Sequence, residues 1–210
     1  CIRDRMKRKG ILRQRTVAIA TDYTNIPFWE ETECDYYVIP HEDLINEFVS
    51  RGIPREKLLP WGIPVREKFG RRLDRKKARE ICQLPQDGLI YLVMSGSMGF
   101  GKIQIFVLEL ARRLKENEEI VVICGNNKKL EETLKRELRR DRRVRILGFT
   151  EQVAEYMEAC DVIFTKPGGL SSTEAAVSRI PIIHTNPIPG CENRNLEFFE
   201  ERHMSIGRRS

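Results

Sequence analysis

From residue 74 onward, strand-length apolar runs alternate with helix-length segments, and this order constrains the fold more than any other feature of the chain. Strands are predicted at 89–94, 119–124, 143–147, 161–165 and 180–184. Helices are predicted at 74–82, 102–116, 128–140, 151–159, 171–178 and 192–203. Strands that are apolar along their whole length are typical of parallel sheets covered by helices on both faces. The sequence therefore predicts an α/β fold with a Rossmann-like parallel sheet.

The first 65 residues have a different organisation. Two short apolar runs predict buried strands, a helix follows the second run, and two Gly-Ile-Pro triplets come after the helix. These features lie at 16–21, 34–39, 41–51, 52–54 and 62–64. Triplets of this kind are typical of a connection between domains. A domain boundary is therefore predicted near residue 65.

The basic residues are unevenly distributed. Residues 1–15 contain seven of the 37 lysines and arginines but only one acidic residue, so they account for the whole net charge of +6. One interpretation is a solvated, positive helix end. The alternatives are an anionic membrane surface or a nucleic acid as partner. No aromatic residues are interleaved with these charges, which disfavours nucleic acid.

The overall composition excludes several classes of protein. Hydrophobic residues make up 40% of the chain and charged residues 32%, which is compatible with a packed core. No apolar run approaches the ~20 residues that a membrane-spanning helix needs. The six cysteines are scattered without a CxxC pair, so neither a disulfide scaffold nor a metal site is predicted. Reduced thiols in the cytoplasm are expected.

Glycine-rich loops follow two of the predicted strands, where ligands of parallel α/β sheets bind. The loop at 95–102 resembles a phosphate-binding Walker A loop, with Gly96, Gly101 and Lys102 at the required spacing. However, Ile103 stands where that motif has a magnesium-binding Ser or Thr. Glycines at a helix start still allow the backbone N–H groups to approach a phosphate. A tight turn that requires glycine is the alternative interpretation.

Three further loops contain candidate ligand-binding groups. Gly168 and Gly169 precede a second helix start, and Glu174 follows, either as a favourable charge near the helix N-terminus or as an acceptor for ribose hydroxyls. Phe149 lies in a loop that could flank a base. The loop at 187–195 is rich in acid and amide groups that suit sugar hydroxyls, or it is an exposed proline loop with a helix cap.

Taken in order, the motifs GSMG, CGNN, GFT, TKPGGLSSTEA and PIPGCENRN resemble the diacylglycerol glycosyltransferases. That family includes bacterial processive glucosyltransferases and plant-type monogalactosyldiacylglycerol synthases, and it is related to the N-acetylglucosaminyltransferase that completes the lipid-linked peptidoglycan precursor. The segments TDYTNIPFWEE and PWGIPVREKF are similar to the end of the family's acceptor domain and to its interdomain link. TKPGGLSSTEA is the most specific of these motifs.

The resemblance implies the two-domain glycosyltransferase-B architecture. Residues 66–210 would form the UDP-sugar donor-binding domain, truncated at its end. Residues 1–65 would be the tail of the acceptor domain and the interdomain link. The diacylglycerol acceptor would bind through a missing N-terminal domain. The chain is accordingly expected to be a fragment without activity of its own.

The implied reaction is inverting transfer of glucose or galactose from a UDP-sugar to diacylglycerol, in glycolipid synthesis. The enzyme would be a hexosyltransferase, peripheral on the inner face of the cell membrane, without a tightly bound cofactor or metal. Helix N-termini would stabilise the leaving diphosphate. No catalytic residue is assigned. The alternatives are a P-loop-like nucleotide-binding protein and a Rossmann-like adaptor without catalytic activity.

The resemblance also implies a role for each motif residue. Cys191 stands where many relatives have Gln, which leaves the sugar preference open. The expected donor-binding residues are Ser95, Gly96, Ser97 and Gly99 for the diphosphate; Phe149 and Thr150 for uracil; Gly168, Gly169 and Ser171 for the second phosphate-facing helix start; Glu174 for ribose; and Glu192 and Asn195 for the donor sugar.

Overall fold

The computed structural model describes residues 2–94, 103–185, 187 and 189–207. Its first unit contains a three-stranded parallel sheet with the strand order β1-β2-β3. The elements of this unit are α1 (Ile2–Arg8), β1 (Val17–Ile19), β2 (Tyr36–Val38), α2 (Ile45–Ser50) and β3 (Leu58–Leu59), with 3-10 turns at Glu42–Leu44 and Arg55–Lys57.

The second unit is built around a six-stranded parallel sheet with the order β6-β5-β4-β7-β8-β9. Its strands are β4 (Leu89–Met94), β5 (Glu118–Ile123), β6 (Val144–Leu147), β7 (Val162–Thr165), β8 (Ile182–His184) and β9 (Ser205–Gly207). Its helices are α3 (Glu67–Gly70), α4 (Arg75–Ile81), α5 (Ile103–Arg113), α6 (Lys128–Glu137), α7 (Val153–Ala159), α8 (Gly169–Val177) and α9 (Cys191–Glu201). This is the strand order of a Rossmann fold, as predicted.

Both faces of the large sheet are buried. In β5, Ile120 and Val122 belong to one hydrophobic cluster, whereas Val121 and Ile123 belong to a second cluster. Because successive side chains of a strand point to opposite faces, the two clusters are the cores on the two sides of the sheet. The strands are apolar along their whole length because both faces of the sheet are buried.

The short elements that were not predicted from the sequence include β3, β9 and α1. β3 has two residues and β9 has three, so neither contains an apolar run long enough to be recognised. The N-terminal helix α1 is mostly polar and is held by tertiary contacts, including a 2.8 Å ion pair from Lys7 Nζ to Asp35 Oδ2. That oxygen also accepts from the backbone N–H of Thr16 at 2.6 Å. α1 is thereby attached to the first sheet.

The described cysteines, five in number, are unpaired, and four of them are buried. In the part of the chain that the structure describes, no helix is long and apolar enough to cross a membrane.

Candidate functional site

The topological switch point of the large sheet lies between β4 and β7, where the chain crosses from one half of the sheet to the other. Met94 and Thr165, the last residues of these strands, are paired in register. The two strands therefore end side by side at the carboxyl edge of the sheet, where such folds bind their ligands. The candidate diphosphate residues Ser95, Gly96, Ser97 and Gly99 directly follow Met94 but lie outside the described residues.

The beginning of α8 has two glycines with different surroundings. Gly168 is the N-cap and provides no side chain to the first turn, and a Cβ built on it would meet no atom of the described residues within 4 Å. A Cβ on Gly169, by contrast, would lie 1.8 Å from the carbonyl oxygen of Thr21, in the loop after β1. Gly169 therefore permits close contact between the two units, whereas Gly168 has no such contact with the residues that the structure describes. Ser171 is half-buried in the first turn.

Glu174 lies in α8, five residues after Gly169, and is half-buried. Burial raises the pKa of its carboxyl group, and the positive charges of Arg66 and Lys68 act in the opposite direction. Arg66 is the N-cap of α3, and Lys68 lies within that helix. Glu174 thus combines partial burial with a basic environment, and its contact with a ribose stays a prediction.

The side chain of Asn195, in α9, joins the two units. Its Nδ2 donates to Asp22 Oδ1 at 2.8 Å and to the carbonyl oxygen of Pro167 at 2.9 Å. Its Oδ1 accepts from the backbone N–H of Tyr23 at 2.6 Å. The residue is 0% exposed. In this structure the amide of Asn195 makes three hydrogen bonds within the protein, and the expected contact with a donor sugar stays a prediction.

Tyr23 strengthens the same junction. Its ring lies 4.4 Å from that of Phe198 and 5.0 Å from that of Phe199, measured between centroids. Its hydroxyl oxygen is 2.8 Å from Thr173 Oγ1 in α8. The loop after β1 is thus fixed against α8 and α9 by both apolar and polar contacts.

Glu192 is buried in the first turn of α9 and forms an ion pair with Lys166, with 2.5 Å between Oε1 and Nζ. Lys166 directly follows β7, so its ammonium group lies at the switch point next to the second glycine loop. Its side chain is about one-third exposed. The pair places one acid and one base at the carboxyl edge with little net charge. Among the described side chains, no group of three or more His, Cys, Asp or Glu residues could hold a metal ion.

Phe149 and Thr150 follow β6, which lies two strands away from β4 on the same edge. Phe149 is 71% exposed, so its ring is available to a ligand. The Thr150 side chain has a local role, because its Oγ1 accepts from the backbone N–H of Gln152 at 3.1 Å, just before α7.

Comparison with known proteins identifies the family. Residues 74–197, more than half of the chain, match the model of the glycosyl transferases group 1. The chain belongs to the group 1 glycosyl transferases. Residues 2–65 of this glycosyl transferase match the model of monogalactosyldiacylglycerol (MGDG) synthase. The two matches confirm the resemblance that the sequence motifs indicated.

One curated relative is the processive diacylglycerol beta-glucosyltransferase of Staphylococcus saprophyticus. It is 34% identical over 188 residues, which cover 88% of this glycosyl transferase and 47% of the relative. The chain therefore spans about half the length of the curated relatives that it matches.

Solved structures show the same architecture. MurG of Acinetobacter baumannii has a TM-score of 0.62 at 16% identity, over 97% of this chain and 55% of MurG. Anabaena HepE in complex with UDP and glucose has a TM-score of 0.55 at 16% identity, over 85% of this chain and 55% of HepE. These likenesses confirm the predicted glycosyltransferase-B fold.

Two contributions to the site were missed by sequence analysis. Lys166 stands within the TKPGG motif, but its partner Glu192 is 26 residues away, and no local pattern indicates the pair. The junction made by Tyr23 and Asn195 spans 172 residues. The only available indication was the position of Lys166 directly after β7, because the predicted strand order would place the end of that strand at the switch point.

Replacement of Asn195 by alanine is expected to lower the free energy of unfolding by about 1–3 kcal/mol, the usual cost of leaving a buried polar group without a partner. Urea denaturation of this glycosyl transferase and the variant measures the difference. Asn193→Ala is the matched control, because Asn193 is exposed on the same helix. Equal losses of stability in the two variants would contradict the role given to the Asn195 amide.

Proposed function

We propose that the complete protein transfers a hexose from a UDP-sugar to diacylglycerol. The observation that supports this most is the register pairing of Met94 with Thr165, which starts two glycine loops side by side at the switch point of a group 1 glycosyl transferase. Each loop precedes a helix, and helix N-termini attract phosphate. Two adjacent helix starts suit the diphosphate of a sugar nucleotide.

The donor-binding residues are proposed to act as follows. The backbone at Gly168 and the first turn of α8 bind the diphosphate, and Glu174 accepts hydrogen bonds from the ribose. Lys166, held by its ion pair with Glu192, donates hydrogen bonds to the leaving diphosphate as that group gains negative charge. Phe149 contacts the uracil, and Glu192 contacts the donor sugar. Gly169 and Asn195 hold the surrounding loops in place.

The reaction is proposed to invert the anomeric carbon. A hydroxyl of the acceptor attacks that carbon from the face opposite the diphosphate, the bond to the diphosphate breaks, and UDP leaves with the electron pair. The hydroxyl proton passes to a base, for which we assign no residue among those that the structure describes.

Glucose is proposed as the transferred sugar. The donor-binding region lies within the segment aligned with a relative named as a beta-glucosyltransferase, whereas the match to MGDG synthase is confined to residues 2–65. Those residues belong to the first unit, so that match supports diacylglycerol as the acceptor rather than galactose as the donor.

Turnover tests the proposed reaction. The complete protein is incubated with diacylglycerol and either UDP-glucose or UDP-galactose, and the lipid products are separated by chromatography. Glucosyldiacylglycerol is expected, and no product is expected from the 210-residue chain alone, which spans about half of its relatives. Formation of galactolipid would overturn the sugar assignment. Glycolipid synthesis by the isolated chain would overturn the division of labour between donor and acceptor units.

Residues 1–15 are proposed to attract anionic lipid at the inner face of the cell membrane. Three of their basic residues form ion pairs: Arg3 with Asp4, Lys7 with Asp35, and Arg8, at the surface, with Glu33. The basic residues that are exposed are Arg5, Arg8, Lys9, Arg13 and Arg15. A juxtaposed anionic surface would attract each of these charges by about 1 kcal/mol.

Simultaneous replacement of Arg5, Lys9 and Arg13 by Gln is expected to weaken binding to phosphatidylglycerol vesicles by about ten- to a hundredfold. Co-sedimentation at low and high salt measures this effect, since salt screens the attraction. The matched control replaces the exposed Arg139, Arg140 and Arg142 by Gln, which removes the same charge elsewhere. An equal effect in the control, or equal binding to neutral vesicles, would contradict the proposal.

A further inference from the structure

A cavity of about 320 Å³ lies between the loop after β1 and the beginning of α9. Its lining comprises Thr24, Asn25, Ile26 and Pro27 from the first unit and Gly190, Cys191 and Arg194 from the second. The cavity is thus formed by both units. None of the first-unit residues was assigned a role above.

Asn25 is the unusual member of this lining. The residue is 5% exposed, yet neither Nδ2 nor Oδ1 has a hydrogen-bond partner among the residues that the structure describes. A buried amide without partners disfavours the folded state, so such groups in native proteins require an explanation. Binding of a ligand would supply the missing donor and acceptor.

The backbone beside Asn25 is held firmly. One carboxylate oxygen of Glu47, in α2, accepts from the backbone N–H of Asn25 at 2.8 Å and from Thr24 Oγ1 at 2.7 Å. The Asn25 amide is therefore presented by a fixed loop, and it makes no contribution to holding that loop. This arrangement is expected of a side chain that forms hydrogen bonds with a ligand.

The chemistry of the lining selects a neutral ligand. Arg194 is paired with Glu197, with 3.3 Å between Nη1 and Oε2, so its charge is compensated. Burial and the nearby acids Asp22 and Glu192 raise the pKa of the Cys191 thiol, which keeps it uncharged. Ile26 and Pro27 add apolar surface. A ligand hydroxyl can both donate a hydrogen bond to an amide and accept one from it. The carbon atoms of such a ligand would pack against the apolar wall of the cavity.

We infer that this cavity binds the hydroxyl-bearing glycerol end of the lipid acceptor, with Asn25 as a residue that positions the hydroxyl. This inference rests on the proposed function. The acceptor is favoured over the donor because Asn25 belongs to the first unit, whereas the proposed donor loops follow β4 and β7 in the second. A cavity shared by the two units is where an acceptor and the transferred sugar must meet.

Asn25→Leu provides the test. Leucine has a similar size and no polar atoms, so the variant is expected to be at least as stable as the parent chain in a thermal melt. The 210-residue chain, labelled with ¹⁵N in its asparagine side chains, is titrated with 1,2-dihexanoylglycerol, and the Asn25 signals are assigned by their loss in the variant. In the parent chain, the chemical shifts of these signals are expected to change with added dihexanoylglycerol and to reach a plateau at saturation.

Affinity is measured from the backbone amide shifts of Ile26 and Arg194. Asn25→Leu is expected to weaken dihexanoylglycerol binding at least tenfold, whereas Asn46→Leu, at an exposed asparagine of α2, leaves it unchanged. Asn25→Ser keeps a hydrogen-bond donor and acceptor and is expected to retain part of the affinity for dihexanoylglycerol. This variant therefore distinguishes loss of the hydrogen-bonding group from a general loss of structure.

The failures of the two proposals are distinguishable. Absence of a shift at Asn25, or equal dihexanoylglycerol affinity in the Asn25→Leu variant, overturns the acceptor site while UDP binding by the chain remains intact. Weaker binding of UDP-glucose but not of UDP in this variant would place the donor hexose in the cavity and also overturn the inference. Absence of UDP binding by the parent chain would instead overturn the proposed function.

Discussion

Gly169→Ala is expected to lower the free energy of unfolding by about 3 kcal/mol or more, at the upper end of the usual cost of overpacking. The added methyl group would lie 1.8 Å from the carbonyl oxygen of Thr21 and 3.2 Å from the Cα of Asp22. Both contacts are with backbone, so no side-chain rotation relieves them. Either the start of α8 or the loop after β1 must move. Urea denaturation followed by circular dichroism measures the loss.

Gly168→Ala is the matched control for this variant. It adds the same methyl group one residue earlier, where no atom in the described part of the chain lies within 4 Å and the backbone conformation suits alanine. Its stability is expected to equal that of the parent chain. If Gly168 faces the diphosphate, this variant should instead bind UDP more weakly. Equal stability of the Gly168 and Gly169 variants would show that the two units are not in contact at α8.

Glu174→Ala is expected to weaken UDP binding by about ten- to a hundredfold. Hydrogen bonds to a charged group typically contribute about 1.5–3 kcal/mol, and 1.4 kcal/mol corresponds to a factor of ten. The effect should be smaller with 2′-deoxy-UDP, because one of the hydroxyl donors is absent. Glu132→Ala, at an exposed position of α6, is the control and should bind UDP normally. Unchanged UDP affinity in Glu174→Ala would contradict the assignment to the ribose.

The same carboxylate should make UDP binding depend on pH. Burial raises the pKa of Glu174, so protonation begins at a higher pH than for an ordinary glutamate. The protonated form accepts hydrogen bonds from ribose less well. UDP affinity of the parent chain should therefore fall more steeply than that of Glu174→Ala as the pH is lowered from 7 toward 5, which calorimetry at several pH values measures.

Much of the fold could be predicted because the strands are apolar along their length and separated by amphipathic helices. The same order predicted that β4 and β7 would end at one edge of the sheet, and the pairing of Met94 with Thr165 confirms it. The very short strands β3 and β9 could not be predicted, because strands of two or three residues depend on pairing with neighbours already in place.

Individual residues in the site were harder to predict than the loops. Gly169 was expected to face a phosphate, but what makes glycine necessary there is the approach of Thr21, almost 150 residues earlier in the chain. Asn195 was expected to contact the donor sugar, yet it bonds Tyr23, Asp22 and Pro167. Contacts of this kind arise from the packing of the two units and leave no local pattern in the sequence.

Binding of UDP by the 210-residue chain tests the central claim most directly. Ile103 is only 7% exposed and packs in the core, where a P-loop would have a hydroxyl for magnesium. Isothermal titration with UDP and with ATP, each in EDTA and in magnesium, separates a sugar-nucleotide site from a P-loop. UDP is predicted to bind at least about tenfold (~1.4 kcal/mol) more tightly than ATP, equally with and without magnesium. Tighter binding of ATP, or UDP binding that requires magnesium, would contradict the account.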